Sequence, residues 1–165
     1  MIKRLCAALL LALLLLSAFA EEGKLPDKSI YDEILMSDTL ESITEKCGEG
    51  TTTDGYQLFG DALCSFFESG RLQAKSRYYT DIHEVAALTQ GSFNDVMGFT
   101  QGTEESELIA YLGEGKEVLV MNLSDEDEAG LRKLVAWKNE ANAMLEALFE
   151  LDDGKWVLFA LGEIK

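Results

Sequence analysis

The chain opens with a continuous apolar segment that differs from every later part of the sequence. Leu5–Leu16 are all apolar, two basic residues precede them, and small residues stand at Ala18 and Ala20. This arrangement is typical of a secretory signal peptide, and a run of about 12 residues is short for a bilayer span, which needs about 20. The sequence therefore predicts a signal peptide over residues 1–20 that is cleaved after Ala20, with no membrane anchor on the mature chain.

Helical spacing of apolar residues begins after a polar lead. Residues 21–28 contain the only proline and are expected to be flexible. Ser29 and Asp32 then resemble a capping box. The apolar residues that follow share one face of a helix: Met36, Leu40, Ile43 and Cys47. This pattern predicts a first helix, although residues 37–39 could also start a second, short one.

Another helix is predicted after a threonine-rich loop over residues 48–55. Its apolar residues again have helical spacing: Phe59, Leu63, Phe66 and Phe67. Gly70 supplies the end of this helix. The helix would place Cys64 opposite the end of the first one.

Residues 71–80 change to the alternating pattern of a β-strand. Two short helices are predicted within residues 81–97. Two apolar runs, Leu108–Leu112 and Val118–Leu123, then flank the glycine-containing segment 113–116. Apolar runs on either side of such a segment predict a β-hairpin.

The strongest helical pattern in the chain starts at Ser124, where acidic residues crowd the first turn. The apolar stripe of this helix is long: Leu131, Leu134, Val135, Leu145, Leu148 and Phe149. In such a helix Leu145 faces the core, and a change at Glu146 should cost little stability. A turn at Asp152–Gly154 and a buried strand over Trp156–Leu161 follow.

These elements predict a single α+β domain over residues 29–165. Its sheet would be small and mostly antiparallel, built from the hairpin and a strand after the long helix, and packed against helices. If the last strand joins the sheet of the hairpin, the long helix is a crossover of right-handed chirality.

Composition narrows the choice of partner. The 165 residues contain 14 lysines and arginines against 30 aspartates and glutamates, a formal net charge of -16. Loss of the leader would remove two more positive charges. Phosphate backbones and anionic membrane surfaces repel such a protein. We therefore expect no nucleic-acid partner and no membrane attachment after cleavage.

The candidate motifs for catalysis and metal binding are incomplete. His83-Glu84 begins a zinc-protease motif, but Ala87 stands where the second histidine is needed, and the chain has one histidine. Residues 113–116 lack the first glycine and the hydroxyl of a phosphate-binding loop. The acidic residues 125–128 are explained as a helix start rather than a Ca²⁺ loop. The sequence thus predicts no catalytic residue, no metal and no cofactor.

Two cysteines, Cys47 and Cys64, remain once the leader is removed with Cys6. Export leads to an oxidising compartment, so the even count predicts a disulfide bond between them. The short loop it closes would stabilise the fold by about 3 kcal/mol. Two buried thiols are the alternative, because cysteine packs well as a small apolar residue.

A basic row stands out on the predicted strand over residues 71–80. Arg71, Gln73, Lys75 and Arg77 would share one face, with Tyr79 at its end. Local positive potential in an acidic protein makes Arg71, Lys75, Arg77 and Tyr79 a candidate binding site for an acidic or aromatic-accepting partner. The alternative is that the row faces solvent, pairs with carboxylates and protects a strand edge.

Taken together, these features predict a small acidic protein exported to the periplasm, the cell envelope or the extracellular space. It would act without catalysis, as a binding module for an unknown protein or small ligand or as a structural module. The alternatives are a hydrolase that uses carboxylates alone and a low-affinity divalent-cation binder. Two acids of raised pKa in one pocket would favour the hydrolase.

Overall fold

The computed structural model describes residues 29–77, 98–126, 130–138 and 144–164. Within these ranges the chain forms a 3₁₀ turn at Tyr31–Glu33 and two α-helices, α1 (Leu40–Cys47) and α2 (Glu105–Leu112). The strands are β1 (Thr51–Thr53), β2 (Tyr56–Phe59), β3 (Ala62–Phe66), β4 (Leu72–Arg77), β5 (Lys116–Asn122), β6 (Leu131–Lys138), β7 (Met144–Asp152) and β8 (Lys155–Ile164).

Several predictions concern residues outside these ranges. They are the signal peptide over residues 1–20, the lead over residues 21–28, the two short helices within residues 81–97, and the role of Tyr79. Among the described residues, no helix combines the length and apolar character that a membrane crossing requires.

The eight strands form one antiparallel sheet in which each strand pairs with the next along the chain. This corrects the predicted fold class. Instead of a small sheet packed against helices, the described chain is mainly an eight-stranded meander with two helices of eight residues each. Because β5, β6, β7 and β8 follow one another as antiparallel neighbours, the predicted right-handed crossover is wrong as well.

The helix predicted after residue 55 is wrong, because its residues form β2 and β3. Asp54 and Gly55 both have positive φ, 46° and 87°, which is the condition for a two-residue type I′ hairpin turn between β1 and β2. Gly60, with φ 57°, turns the chain again between β2 and β3. An α-helix cannot continue through positive φ at Gly60, so the helical spacing of the aromatic residues was coincidental.

The long helix predicted from Ser124 is also wrong, because its residues form β6 and β7. Both strands are buried on both faces over most of their length, so their sequences do not alternate. Leu145 and Glu146 therefore point to opposite faces, and both are buried, at 2% and 8% exposure. The hydroxyl of Ser124 accepts a hydrogen bond from the Glu126 amide, but within a loop rather than at a helix start.

Four shorter features of the structure agree with what the sequence predicts. The strand predicted over residues 71–80 is confirmed at Leu72–Arg77 (β4), while residues 78–80 lie outside the described ranges. The strand predicted over residues 118–123 is confirmed as β5, and the turn at Asp152–Gly154 joins β7 to β8. Residues 37–39 do restart the helix, since Thr39 and Ser42 form the capping box of α1. Leu108–Leu112, predicted as a strand, instead lie in α2.

The sheet has two faces, which we name by what they carry. The helix face holds the paired residues Cys64, Lys75 and Val120, and the pocket face holds the paired residues Leu63, Ser76 and Leu119. On the helix face, one core cluster joins α2 to β6–β8, and a second joins the 3₁₀ turn and α1 to β2–β4. A third cluster lies on the pocket face: Val118, Leu119, Leu134, Ala136 and Leu148.

Candidate functional site

A cavity of about 460 Å³ lies on the pocket face where β2, β3, β4 and β5 run side by side. Its floor is mainly apolar and contains Leu63, Leu119 and Met121, of which the two leucines are buried at 4% and 8% exposure. The described lining contains Asp54, Gly55, Tyr56, Leu63, Ser65, Phe66, Gln73, Ala74, Ser76, Leu119, Met121, Asn122 and Leu123.

The register of the sheet explains why these residues meet. Leu63 pairs with Ser76, which pairs with Leu119, and one step along the same face Ser65 pairs with Ala74, which pairs with Met121. Paired residues of antiparallel strands share a face, so these two rows form the floor. The residues of β4 that contribute are small, and this leaves space between the larger side chains of β3 and β5.

Polar groups are placed at the edges of the cavity. Asn122 is buried at 3% exposure, and its Oδ1 accepts a hydrogen bond from the Ser124 amide at 3.1 Å. A Cβ on Gly130 would lie 2.9 Å from that oxygen, so glycine permits the close approach of the β6 backbone. At the opposite edge, the Asp54-Gly55 turn brings Asp54 and Tyr56 to the lining. Within the described lining, Asp54 is the only charged side chain.

Lys75 and Arg77 of the predicted basic row lie on the helix face against Tyr31, whereas Gln73 is among the residues that line the cavity. Lys75 is buried at 8% exposure, and its ammonium group donates hydrogen bonds to the carbonyl oxygens of Tyr31 and Ile34 at 3.0 and 2.8 Å. The same group lies 4.1 Å from the centre of the Tyr31 ring. Burial lowers the pKa of Lys75. The expectation that the row faces solvent is therefore wrong at Lys75.

The two arginines of the row also have partners in the chain. Arg77 donates from Nη2 to Asp32 at 2.7 Å and from Nε to the Glu117 carbonyl at 2.9 Å. Arg71 donates to the carbonyl oxygen of Asp125, and its side chain keeps a third of its surface exposed. Of the two arginines, Arg71 is the more accessible to a partner that docks here. The role of the row in docking stays a prediction.

Cys47 and Cys64 come together in one core cluster, although the predicted helix around Cys64 is absent. Cys47 is the last residue of α1 and packs against the cluster that contains Cys64 of β3. Both side chains are thiols in the structure. Burial raises the pKa of both thiols, that of Cys64 to about 12, so neither is a ready nucleophile at neutral pH.

We expect the Cys47–Cys64 disulfide to form when the protein is exported, since the fold keeps the two side chains in one cluster. No lysine or arginine lies between them, so trypsin leaves both on the peptide 47–71. Mass spectrometry without reductant should find this peptide two hydrogens lighter than its dithiol form and resistant to alkylation. Protein kept under reductant is the control. Two freely alkylated thiols in protein from the export compartment would contradict the prediction.

Two further charged residues on the pocket face, the half-buried Arg132 and the buried Glu146, do not belong to the described lining. Arg132 lies 2.9 Å from Glu150 and packs over the Phe159 ring at 4.1 Å. Glu146 has a carboxylate oxygen without a hydrogen-bond partner, and burial raises its pKa. The described part of the chain contains no group of three or more histidine, cysteine, aspartate or glutamate side chains arranged to hold a metal ion.

The sequence does not identify the cavity for two reasons. It places four of the lining residues, Tyr56, Leu63, Ser65 and Phe66, in a helix that does not exist, and it does not give the register that brings the strands of the others together. The Asp54-Gly55 pair between Thr51–Thr53 and Tyr56–Phe59 was the signal that could have revealed the first hairpin. Comparison with known proteins does not assign the chain to a family. No family model matches the chain, and no curated protein is significantly similar to it in sequence. What supports a function is therefore the chemistry of the cavity and its lining.

Proposed function

We propose that this protein is a non-enzymatic binding module that holds a small molecule with an apolar body in the cavity on the pocket face. The observation that carries the proposal is the lining itself. A cavity of about 460 Å³ with an apolar floor and a few polar groups at its edge has the size and composition of small-molecule sites. Ser65 and Ser76 add hydroxyl groups within the floor, where they can orient a ligand.

The lining supports binding better than it supports the carboxylate-based hydrolase. Such an enzyme needs two acids that face one substrate, with their pKa values set apart. The described lining has one acid, Asp54. Glu146, whose pKa is raised by burial, lies in β7, away from that lining. An exported location belongs to the same proposal and rests on the predicted signal peptide.

Filling the cavity should abolish binding of an apolar probe. In Ser76→Phe, a large ring would project from β4 into the floor between Leu63 and Leu119. We expect the affinity for the uncharged dye Nile red, measured by its fluorescence, to fall at least about tenfold, which corresponds to about 1.4 kcal/mol. Thermal unfolding of the variant should be measured alongside, so that loss of binding is not confused with loss of fold.

The matched control is Ser106→Phe, the same substitution at an exposed position of α2, the helix that packs on the helix face. It should leave dye binding unchanged. Equal dye binding by the wild-type protein and a folded Ser76→Phe variant would show that the dye is not held in this cavity, and no binding by the wild-type protein would overturn the proposal.

A further inference from the structure

Resting on the proposed function, we infer that the ligand of this cavity carries a positively charged group beside its apolar body, and that Asp54 and Tyr56 receive that group. The ligand class is thus an amphiphilic cation, such as an alkylamine. Three observations support this. They are the Asp54 carboxylate at the edge of the cavity, which we call the rim, the Tyr56 side chain in the same lining, and the negative net charge of the chain.

The Asp54 carboxylate is available for a ligand. Asp54 is exposed, and it has no ion-pair partner among the described residues. It sits in a tight turn with φ 46°, so its backbone position is fixed relative to the floor. Within the described lining, no lysine or arginine opposes it. A cation that reaches this rim therefore meets an uncompensated negative charge.

Tyr56 offers a second contact that favours the same chemistry. It follows the turn directly, it is half-buried, and it lines the cavity together with Asp54. The face of a tyrosine ring attracts ammonium groups, and a carboxylate nearby strengthens the negative potential. The formal net charge of -16 adds to this potential over longer distances, whereas it repels a carboxylate or phosphate ligand.

The apolar floor and the charged rim define the order in which related probes should bind. Octylammonium, 1-octanol and octanoate share one chain and differ in the charge of the head group. Each is added to protein that holds Nile red, and displacement of the dye gives the affinity. We expect octylammonium to bind about fivefold more tightly than 1-octanol, and octanoate to bind most weakly. Added salt should reduce the difference.

Two matched variants test the role of Asp54. The Asp153-Gly154 turn between β7 and β8 repeats the geometry of Asp54-Gly55, with φ values of 47° and 76°, but it does not line the cavity. Asparagine tolerates positive φ as aspartate does. Asp54→Asn should remove the preference for octylammonium and leave the affinity for 1-octanol unchanged. Asp153→Asn makes the same change in net charge and should keep the preference.

The possible failures of the two proposals can be told apart. If neither the dye nor any of the three probes binds, the cavity is not a binding site, and both proposals are overturned. If 1-octanol or octanoate displaces the dye as well as octylammonium does, the cavity binds apolar molecules without selecting a cation, and this inference alone is overturned. An equal loss of preference in Asp54→Asn and Asp153→Asn would also overturn it, because the effect would then come from overall charge.

Discussion

Replacing Lys75 with glutamate should lower the free energy of unfolding by more than about 4 kcal/mol, a large share of the roughly 5–15 kcal/mol that stabilises a typical folded protein. The ammonium group of Lys75 satisfies two buried carbonyl oxygens, those of Tyr31 and Ile34, and each would be left without a donor. An unsatisfied buried polar group costs about 1–3 kcal/mol. The new carboxylate would add repulsion from the same oxygens. Chemical denaturation followed by circular dichroism measures the change.

Two variants separate the causes of this loss. Lys75→Met keeps an unbranched apolar chain but donates no hydrogen bond, so it should lose stability to a smaller extent than Lys75→Glu. Lys155→Glu makes the same charge reversal at a side chain that is 65% exposed. It disrupts only an exposed ion pair with Glu104, so the loss of stability should be much smaller than in Lys75→Glu. A stable Lys75→Glu variant would mean that the ammonium group is not needed to attach the 3₁₀ turn to β4.

The contacts of Lys75 also change how partner docking can be tested. Charge reversal at Lys75 would disturb the fold, so loss of a partner in that variant would not identify a docking surface. Arg71 is the better position, because its side chain keeps a third of its surface exposed. The sequence correctly placed these residues on a strand, but it could not show that the segment around Tyr31 covers Lys75 from elsewhere in the chain.

The strands that the sequence predicted are those with a local signal. β4 alternates polar and apolar residues, β5 is a short apolar run, and the last strand follows the Asp153-Gly154 turn. The capping box of α1 is equally local, because Thr39 and Ser42 are three residues apart. Each of these patterns involves only a few neighbouring residues, so it can be recognised from the sequence without knowledge of the tertiary structure.

The errors arose where burial depends on distant parts of the chain. β6 and β7 consist largely of leucine, alanine, lysine and glutamate, which favour helices when taken alone. They form strands because each lies between two neighbours of the meander and is covered on both faces, which removes the alternation of a half-buried strand. Tertiary packing thus overrides a preference that is about 1 kcal/mol per residue or less.

The cavity could not be predicted from the sequence for a related reason. Its floor combines residues of β3, β4 and β5, and β4 and β5 are separated by residues 78–115. Only the register of the sheet brings Leu63, Ser76 and Leu119 into one row. Asp54 is one of 30 acidic residues, and nothing in the sequence distinguishes it as the one that lines a cavity.

Trp137 offers a clear test of the core that packs α2 against β6–β8. Replacing it with alanine should lower the free energy of unfolding by about 3–5 kcal/mol, because it is fully buried in the cluster beneath α2. Its indole nitrogen also donates to the Gly113 carbonyl at 2.8 Å, and Gly115 approaches the ring so closely that a Cβ there would lie 2.6 Å from it.

Trp156→Ala is the matched control, since Trp156 is the only other tryptophan and is half-buried next to Lys133. It should cost clearly less stability than Trp137→Ala. Each variant leaves one tryptophan, so the emission spectra can be assigned: the variant that retains Trp137 should emit at shorter wavelength and shift strongly to the red on unfolding. Equal losses of stability in the two variants, or a red-shifted Trp137 in the folded protein, would show that this side of β6 is not core. The packing of α2 on the sheet would then have to be abandoned, since Leu108 and Leu112 contact the sheet through the same cluster.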